Sequence, residues 1–432
     1  MNPPANHGIV EPVMAGDQFF TAPVERIAAG GDGIVRYRGR SFFMSFTAPG
    51  DRVVGRLTGE GDRAELVGLE EASPHRTAPV CPLYGSCGGC SLQHLSYESQ
   101  LAEKARILKE SLRRTGKLES LPELRIVPSP PYEYRNRFEF HRVPPGNSNF
   151  ESRRRRLQNP PRRNINPNSE SSGAKRRRGQ TVGLKGRKSG VIVPVPDCPV
   201  ADPAVRRALG EGLVPPPEKD RFTVYGRGDL LLYEGGTRRG TVSILGKGIR
   251  MDGAVFFQSN ALMLEALAGD LSELAGGMED LPAADLYAGV GTFSSFLGDH
   301  FSQLDLLEEN KRALTLAREN MENLAKSRPS RNGSFRYFPM TDDRWVKTMG
   351  GKKAAYGFAV ADPPRQGFSP TMAQWLAREG PPALAYISCN PAALARDSRE
   401  LAAGGYRLDS LTFYDFYPQT AHIESLGIFK KG

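Results

Sequence analysis

The sequence predicts a multidomain α/β protein with a small OB-like β-barrel at the N-terminus, a central α+β segment organised by cysteines, and a C-terminal Rossmann-like sheet. Three observations carry that prediction. Across residues 19–69, short apolar alternations are broken by turns such as Gly30-Gly31-Asp32-Gly33 and Pro49-Gly50, the pattern of closely spaced strands. Cys81, Cys87 and Cys90 then fall within ten residues. From about Gly253, apolar strand-like runs alternate with helical periodicity, the order of a mostly parallel sheet. These shifts divide the chain at residues 16–75, 76–250 and 251–432.

The 432 residues, 39% of them apolar, suffice for about three packed cores. No apolar run approaches the roughly 20 residues of a membrane helix, and residues 1–17 have neither a basic nor an apolar leader region. A cytoplasmic protein with no membrane partner is expected, and a monomer. Net charge is +10, and residues 145–180 hold ten Lys or Arg against two acids, so one segment carries most of the excess. Rich in Asn, Pro, Ser and Gly and lacking apolar periodicity, that segment reads as a disordered basic insertion. Clustered arginine beside a globular body suits an RNA-tethering arm, with a solvated loop as the plainer reading.

Five cysteines without an export signal argue against a disulfide framework. In Cys81-Pro-Leu-Tyr-Gly-Ser-Cys87-Gly-Gly-Cys90, the glycines let the backbone wrap three thiolates around one centre. Cys198 is the only other cysteine, besides Cys389, able to complete a set of four. Zinc and a 4Fe-4S cluster both accept four thiolates, and spacing does not separate them. Between these cysteines, Tyr97–Arg114 has the spacing of an amphipathic helix, with Leu101, Ala105, Leu108 and Leu112 on a face that can pack on the C-terminal domain. Residues 133–140 alternate charged and aromatic side chains as a strand does, with 181–184 and 191–195 as partners. That pairing places the basic insertion in a long hairpin loop.

In the C-terminal part, residues 284–293 read as a strand, a glycine turn and a helix start. Gly289 and Gly291 let a ligand approach closely, and Glu308, 19 residues after Gly289, ends the next apolar strand where an acid can take both ribose hydroxyls. Ser294 stands in the place of a dinucleotide fingerprint's third glycine, which points to a nucleoside cofactor without a pyrophosphate, namely S-adenosylmethionine. Residues 357–361 form another strand, ending in Asp362-Pro363-Pro364-Arg365-Gln366-Gly367, whose prolines hold the Asp362 carboxylate at the cleft. Residues 384–387 form the next, followed by Ser388-Cys389-Asn390-Pro391. Cys389 thus lies at a carboxyl strand end, where open α/β sheets collect ligands, although a lone thiol there can also be a small buried hydrophobe. Glu424, in His422-Ile423-Glu424-Ser425-Leu426, lies in the last apolar strand, either facing solvent or held in a site.

Together these motifs resemble the RNA (uracil-5-)-methyltransferase family, above all its 23S rRNA members with a TRAM domain and a 4Fe-4S cluster. The barrel looks like the TRAM domain, Cys81, Cys87, Cys90 and Cys198 look like the cluster ligands, and 285–291, 362–367, 388–391 and 422–424 look like the methyltransferase motifs. The resemblance implies methyl transfer from S-adenosylmethionine to carbon 5 of a uridine, in 23S rRNA or alternatively tRNA. It also implies cofactor and site contacts at Gln258, Tyr287, Gly289, Gly291, Glu308, Asp342 and Asp362, and iron–sulfur rather than zinc at the cysteines. Chemistry assigns Cys389 as the nucleophile that adds at carbon 6 and activates carbon 5, and Glu424 as the base that removes the carbon 5 proton. Residues 145–180 are not part of the family pattern. An amino-directed RNA methyltransferase, which has no need of Cys389, and a non-catalytic iron–sulfur RNA-binding protein remain the alternatives.

Overall fold

The computed structural model describes residues 18–432 apart from 60, 145–181, 277, 279–280, 328–333 and 350–355, so the basic insertion lies outside the described residues. Strands β1 (Phe19–Ile27), β2 (Gly33–Tyr37), β3 (Arg40–Met44), β4 (Arg52–Leu57) and β5 (Arg63–Glu71) close into a barrel in the order β1-β2-β3-β5-β4. Alternation fills its interior: Phe20, Ala22 and Val24 point inward from β1 to meet Val35, Phe42, Met44, Val53 and Leu69.

The helix Tyr97–Arg114 starts at Ser96, whose hydroxyl accepts the Ser99 amide as an N-cap. Its apolar stripe, Ile107, Leu108 and Leu112, packs with Leu394, Ala395 and Leu401 of the C-terminal core. The strand that follows, β6 (Leu124–Val127), joins the edge of the large C-terminal sheet. Only then does the chain build the central antiparallel sheet, β7 (Arg137–Arg142), β8 (Val182–Lys185), β9 (Ile192–Pro194), β10 (Arg221–Arg227) and β11 (Leu230–Tyr233), ordered β11-β10-β7-β8-β9. Phe138, Phe140, Phe222 and Val224 bury one face of it against the helix Pro203–Glu211 and the cysteine-bearing loops. The hairpin β12 (Arg239–Ile244) and β13 (Lys247–Asp252) packs Val242, Ile244, Ile249 and Met251 into the C-terminal core.

Eight strands form the C-terminal sheet: β6 with β14 (Pro282–Leu286), β15 (Gln303–Leu307), β16 (Ser334–Phe338), β17 (Phe358–Ala361), β18 (Ala383–Ser388), β19 (Tyr406–Tyr414) and β20 (Glu424–Lys431). Their order is β16-β15-β14-β17-β18-β20-β19-β6. The chain steps outward from β14 to β16, then returns across β14 to β17, so the order reverses between β14 and β17 and a crevice opens at their carboxyl ends. The segment β14 to β18 is parallel, and its central strands β17 and β18 are wholly buried and almost wholly apolar, as strands covered on both faces require. In contrast, β20 runs antiparallel between β18 and β19, with Ser388 opposite Ser425. The beginning of β20 therefore lies beside the end of β18.

A buried ion pair ties the N-terminal helix to this sheet. Lys104 is 1% exposed and donates to Asp415 Oδ1 at 2.7 Å and to the Tyr417 carbonyl at 2.9 Å, in the turn that leads from β19 towards Glu424. Burial lowers the lysine's pKa and Asp415 opposes the shift. Removing one partner strands the other charge in a dry interior, so Lys104→Ala should lower unfolding free energy by about 3–5 kcal/mol in urea titrations. The double change Lys104→Met with Asp415→Leu should recover most of that loss, because no lone charge remains.

Candidate active site

A cavity of about 810 Å³ opens at the carboxyl edge of the sheet. The residues immediately after β14, β15, β17 and β18 are Tyr287, Glu308, Asp362 and Cys389, and all of them line it. Gln258, Gly289, Asp342 and Glu424 line it too. Among the residues expected from sequence at this site, Gly291 alone is not on the wall.

One end of the cavity is built by the glycine turn. Tyr287 has a φ of +68°, in the left-handed region, a conformation that costs a bulky residue on the order of 1–3 kcal/mol. Its hydroxyl donates to Asp342 Oδ2 at 2.6 Å and its ring stacks on Phe368, and these contacts hold the geometry. Gly289 also has a positive φ, and a Cβ there would point into open space. Its amide donates to Glu308 Oε2 at 2.9 Å while Oε1 accepts the Asn310 amide at 2.7 Å, which aims the carboxylate along the rim. Burial raises the pKa of Glu308. Gly291 serves packing instead: at φ +75° it starts the helix Thr292–Leu297, and a Cβ would lie 3.0 Å from Ala317. Beneath the turn, Asp285 accepts the Ser294 amide at 3.0 Å and also its hydroxyl, and burial pushes Asp285 up to about 6. The serine that replaces a third glycine thus anchors the turn to the strand.

The other end holds the thiol and two carboxyls. Asn390 accepts the Ala392 amide at 3.1 Å to cap the helix Pro391–Ala403, and its side-chain NH₂ donates to the Arg365 carbonyl at 2.9 Å. The Cys389 turn and the Pro-Pro-Arg loop are thereby joined. Gln258 Nε2 donates to Asp362 Oδ2 at 3.2 Å. Glu424 is 3% exposed, paired with Tyr414 of β19 at the start of β20 and set in the cavity wall.

Burial dominates the electrostatics here. It pushes the Cys389 thiol up to about 11, helped by Glu424 and Asp362 and opposed by Arg365. Burial, then Asp362, hold the Glu424 carboxyl well above the usual range, again against Arg365. Asp362 is likewise raised, by burial and then by Asp285. His422, lowered to about 4 by burial and then by Arg365, Arg135 and Lys104, stays neutral and meets the Tyr417 ring edge-on at 5.5 Å. Tyr417, His422 and Arg365 line the cavity although sequence reasoning gave them no role; for His422 and Arg365 their place beside Glu424 and Asp362 in the motifs was the available signal, whereas Tyr417 lies outside every motif.

Cys81, Cys87, Cys90 and Cys198 line one small pocket with Leu83, Phe138 and Val195, and none is in a disulfide. Burial pushes Cys90 and Cys198 up to about 12, and neighbouring thiols add to it. Among the described residues, no group of three or more His, Cys, Asp or Glu is arranged to hold a metal ion. The four thiols share a pocket without being gathered into a ligand shell. Four thiol donors and mostly apolar walls are nonetheless the donor chemistry that suits a thiolate-bound centre.

With a reversal point, a glycine turn and an acid ending the next strand, the C-terminal layer is of the Rossmann-like methyltransferase class. Comparison with known proteins narrows this. Residues 249–431 match the tRNA (Uracil-5-)-methyltransferase family. An uncharacterized RNA methyltransferase of Treponema denticola is 30% identical over 421 residues, 91% of this chain and 94% of that one. The 23S rRNA (uracil(1939)-C(5))-methyltransferase of Shewanella denitrificans is 28% identical over 474 residues, 93% of each chain. In fold, the chain is similar to Pyrococcus abyssi tRNA (uracil-54, C5)-methyltransferase, solved in complex with S-adenosyl-L-homocysteine, with a TM-score of 0.65 at 22% identity, covering 95% of this chain and 100% of that one. The chain belongs to the RNA uracil-5-methyltransferase family.

The raised thiol pKa makes a direct prediction. Only the thiolate is nucleophilic, so iodoacetamide should label Cys389 more slowly in the folded protein at pH 8 than in the denatured chain. Labelling should keep accelerating as pH climbs towards about 11, as read by mass spectrometry of the Cys389 peptide.

Proposed function

We propose that this protein transfers a methyl group from S-adenosylmethionine to carbon 5 of a uridine in RNA, with 23S rRNA the favoured substrate. The observation that carries the reading is that Cys389 and Glu424 reach one cavity from adjacent antiparallel strands, which the glycine turn and Glu308 share. The donor's nucleoside lies along Gly289 and Glu308, with Tyr287 and Asp342 closing that end. The target base, extruded from its stack, enters at the other end, where Gln258 and Asp362 hold its polar edge.

Carbon 5 of uracil is too poor a nucleophile to take the methyl group unaided. The Cys389 thiol gives up its proton to solvent in the open cavity, the thiolate adds to carbon 6, the carbon 5–carbon 6 electron pair moves towards oxygen 4, and carbon 5 becomes electron-rich. It attacks the sulfonium methyl, and S-adenosylhomocysteine leaves neutral. Glu424 takes the carbon 5 proton, the electron pair re-forms the double bond, and Cys389 is expelled. Burial raises the Glu424 pKa, so the carboxylate, once ionised, is a stronger base for this proton transfer. Arg365 is the cation facing the thiol, and its charge favours the thiolate.

The full-length match to a relative that acts on 23S rRNA supports rRNA; the likeness in fold to an enzyme of tRNA keeps tRNA as the second reading. The N-terminal barrel serves as a TRAM-like RNA-binding domain. Cys81, Cys87, Cys90 and Cys198 are the residues that would hold a 4Fe-4S cluster, which would supply a clip between the 81–90 and 198 loops. The enzyme acts as a cytoplasmic monomer; among the described residues no helix is long and apolar enough to cross a membrane.

Tritium release from 23S rRNA and tRNA transcripts carrying [5-³H]uridine tests the reading. Release from 23S rRNA and none with Cys389→Ala is expected; no release from either RNA, with donor binding intact, would overturn it. Glu424→Gln should slow release by about 10²–10⁴-fold while a protein–RNA adduct accumulates on gels. Anaerobically reconstituted protein should carry iron and sulfide in equal amounts with a brown visible absorbance, and Cys198→Ala should lose both.

A further inference from the structure

The loop that carries Arg365 is held almost entirely by the helix that follows Cys389. Asp397, on Pro391–Ala403, is 1% exposed. Its Oδ2 accepts the Phe368 amide at 2.9 Å and the Tyr386 hydroxyl at 2.6 Å, and its Oδ1 accepts Arg396 Nε at 2.8 Å and Nη2 at 2.6 Å. Oriented in this way, Arg396 Nη2 donates to the Gln366 carbonyl at 2.8 Å and the Phe368 carbonyl at 3.1 Å. Asn390 holds the Arg365 carbonyl, as described above. Gly367 completes the clamp, since its φ is +77° and a Cβ there would strike the Asp397 carboxylate. So much bonding is unusual for a loop whose residues 364–366 are exposed. Its consequence is that the backbone of Arg365 is fixed at the rim of the cavity that Arg365 and Cys389 both line.

We propose that Asp397 is a positioning residue for methyl transfer, fixing the 364–368 loop through the Phe368 amide and Arg396 so that the Arg365 guanidinium stays beside Cys389. This rests on Cys389 being the nucleophile. The groups that act on that thiol are Glu424 from β20, Asp362 and Arg365 from the loop after β17, and Tyr417 from the turn before β20; His422 from that turn and Arg396 from the helix Pro391–Ala403 line the same cavity. Two of these are carboxyls that oppose a thiolate, and Arg365 is the cation that favours it. A loosened loop therefore makes the thiolate harder to form.

The test is the pH profile of Cys389 alkylation in the full-length protein without RNA, which does not depend on methyl transfer. A failure of the methyltransferase reading would show in tritium release and leave this profile untouched. Asp397→Asn is isosteric and removes an anion. Acting through space alone, that loss would shift the profile to lower pH; acting through the loop, it shifts the profile to higher pH. We expect the upward shift, no larger than that of Arg365→Gln, and no further shift when the two are combined, because residues acting in series are not additive. A downward or unchanged profile, or a shift that adds to that of Arg365→Gln, would overturn the proposal. Should Asp397→Asn not fold, Arg396→Gln, whose side chain is 54% exposed, serves in its place. Its upward shift must likewise vanish on the Arg365→Gln background, and persistence there would overturn the proposal.

Discussion

The pairing of β20 with β18 is the constraint on which the site depends. In a purely parallel sheet every strand presents the same end to the crevice, so Glu424, at the start of its strand, would lie at the opposite edge. Insertion of β20 antiparallel between β18 and β19 brings that start beside the end of β18, with Ser388 opposite Ser425. A thiol and a carboxyl separated by 35 residues in sequence thereby become neighbours through backbone register. The turn that makes this reversal is fixed in turn by Lys104, whose ammonium holds Asp415 and the Tyr417 carbonyl from a helix more than three hundred residues earlier. The N-terminal helix is therefore part of the scaffold of the site as well as of the core.

Burial gives the cavity its chemistry at rest. Carboxyls and thiol alike are pushed towards their neutral forms, with Arg365 the charge that opposes this at both Cys389 and Glu424. Such a site keeps the Cys389 thiol protonated and quiet. In the proposed reaction a bound sulfonium adds a cation to the cavity and alters that balance, so the charged form of Cys389 is favoured when the donor is present. Keeping the thiolate scarce without substrate also limits oxidation of an otherwise accessible cysteine.

Much of this was legible in the sequence because it is local. Apolar strands ending in Tyr287, Glu308, Asp362 and Cys389 announce themselves by composition, and the structure brings all four to one cavity. The helix Tyr97–Arg114 is readable from its spacing and its serine cap. Long-range features were not legible. Nothing in residues 124–127 signals an edge strand of a sheet whose other members begin at residue 282, because pairing depends on a partner far away in sequence. Lys104 reads as a solvated helix residue until Asp415 is placed beside it. Gly291 looks like Gly289 in sequence, yet one faces the cavity and the other meets Ala317, a distinction set by the packing of the helix Lys311–Ser327. The shared pocket brings Cys198, the one cysteine left besides Cys389, to Cys81 and the glycine-spaced Cys87 and Cys90, while the basic segment 145–180 lies outside the described residues.

The central claim is that Cys389 becomes bonded to carbon 6 of the target base during methyl transfer. Replacing the target uridine by 5-fluorouridine tests it most directly, since carbon 5 then carries no proton for Glu424 to take and the adduct cannot break down. The account predicts a stable protein–RNA complex formed only with S-adenosylmethionine present, in which mass spectrometry finds the methylated fluoronucleotide on the Cys389 peptide. Methylation of that RNA with no adduct, or an adduct on any other residue, would contradict it.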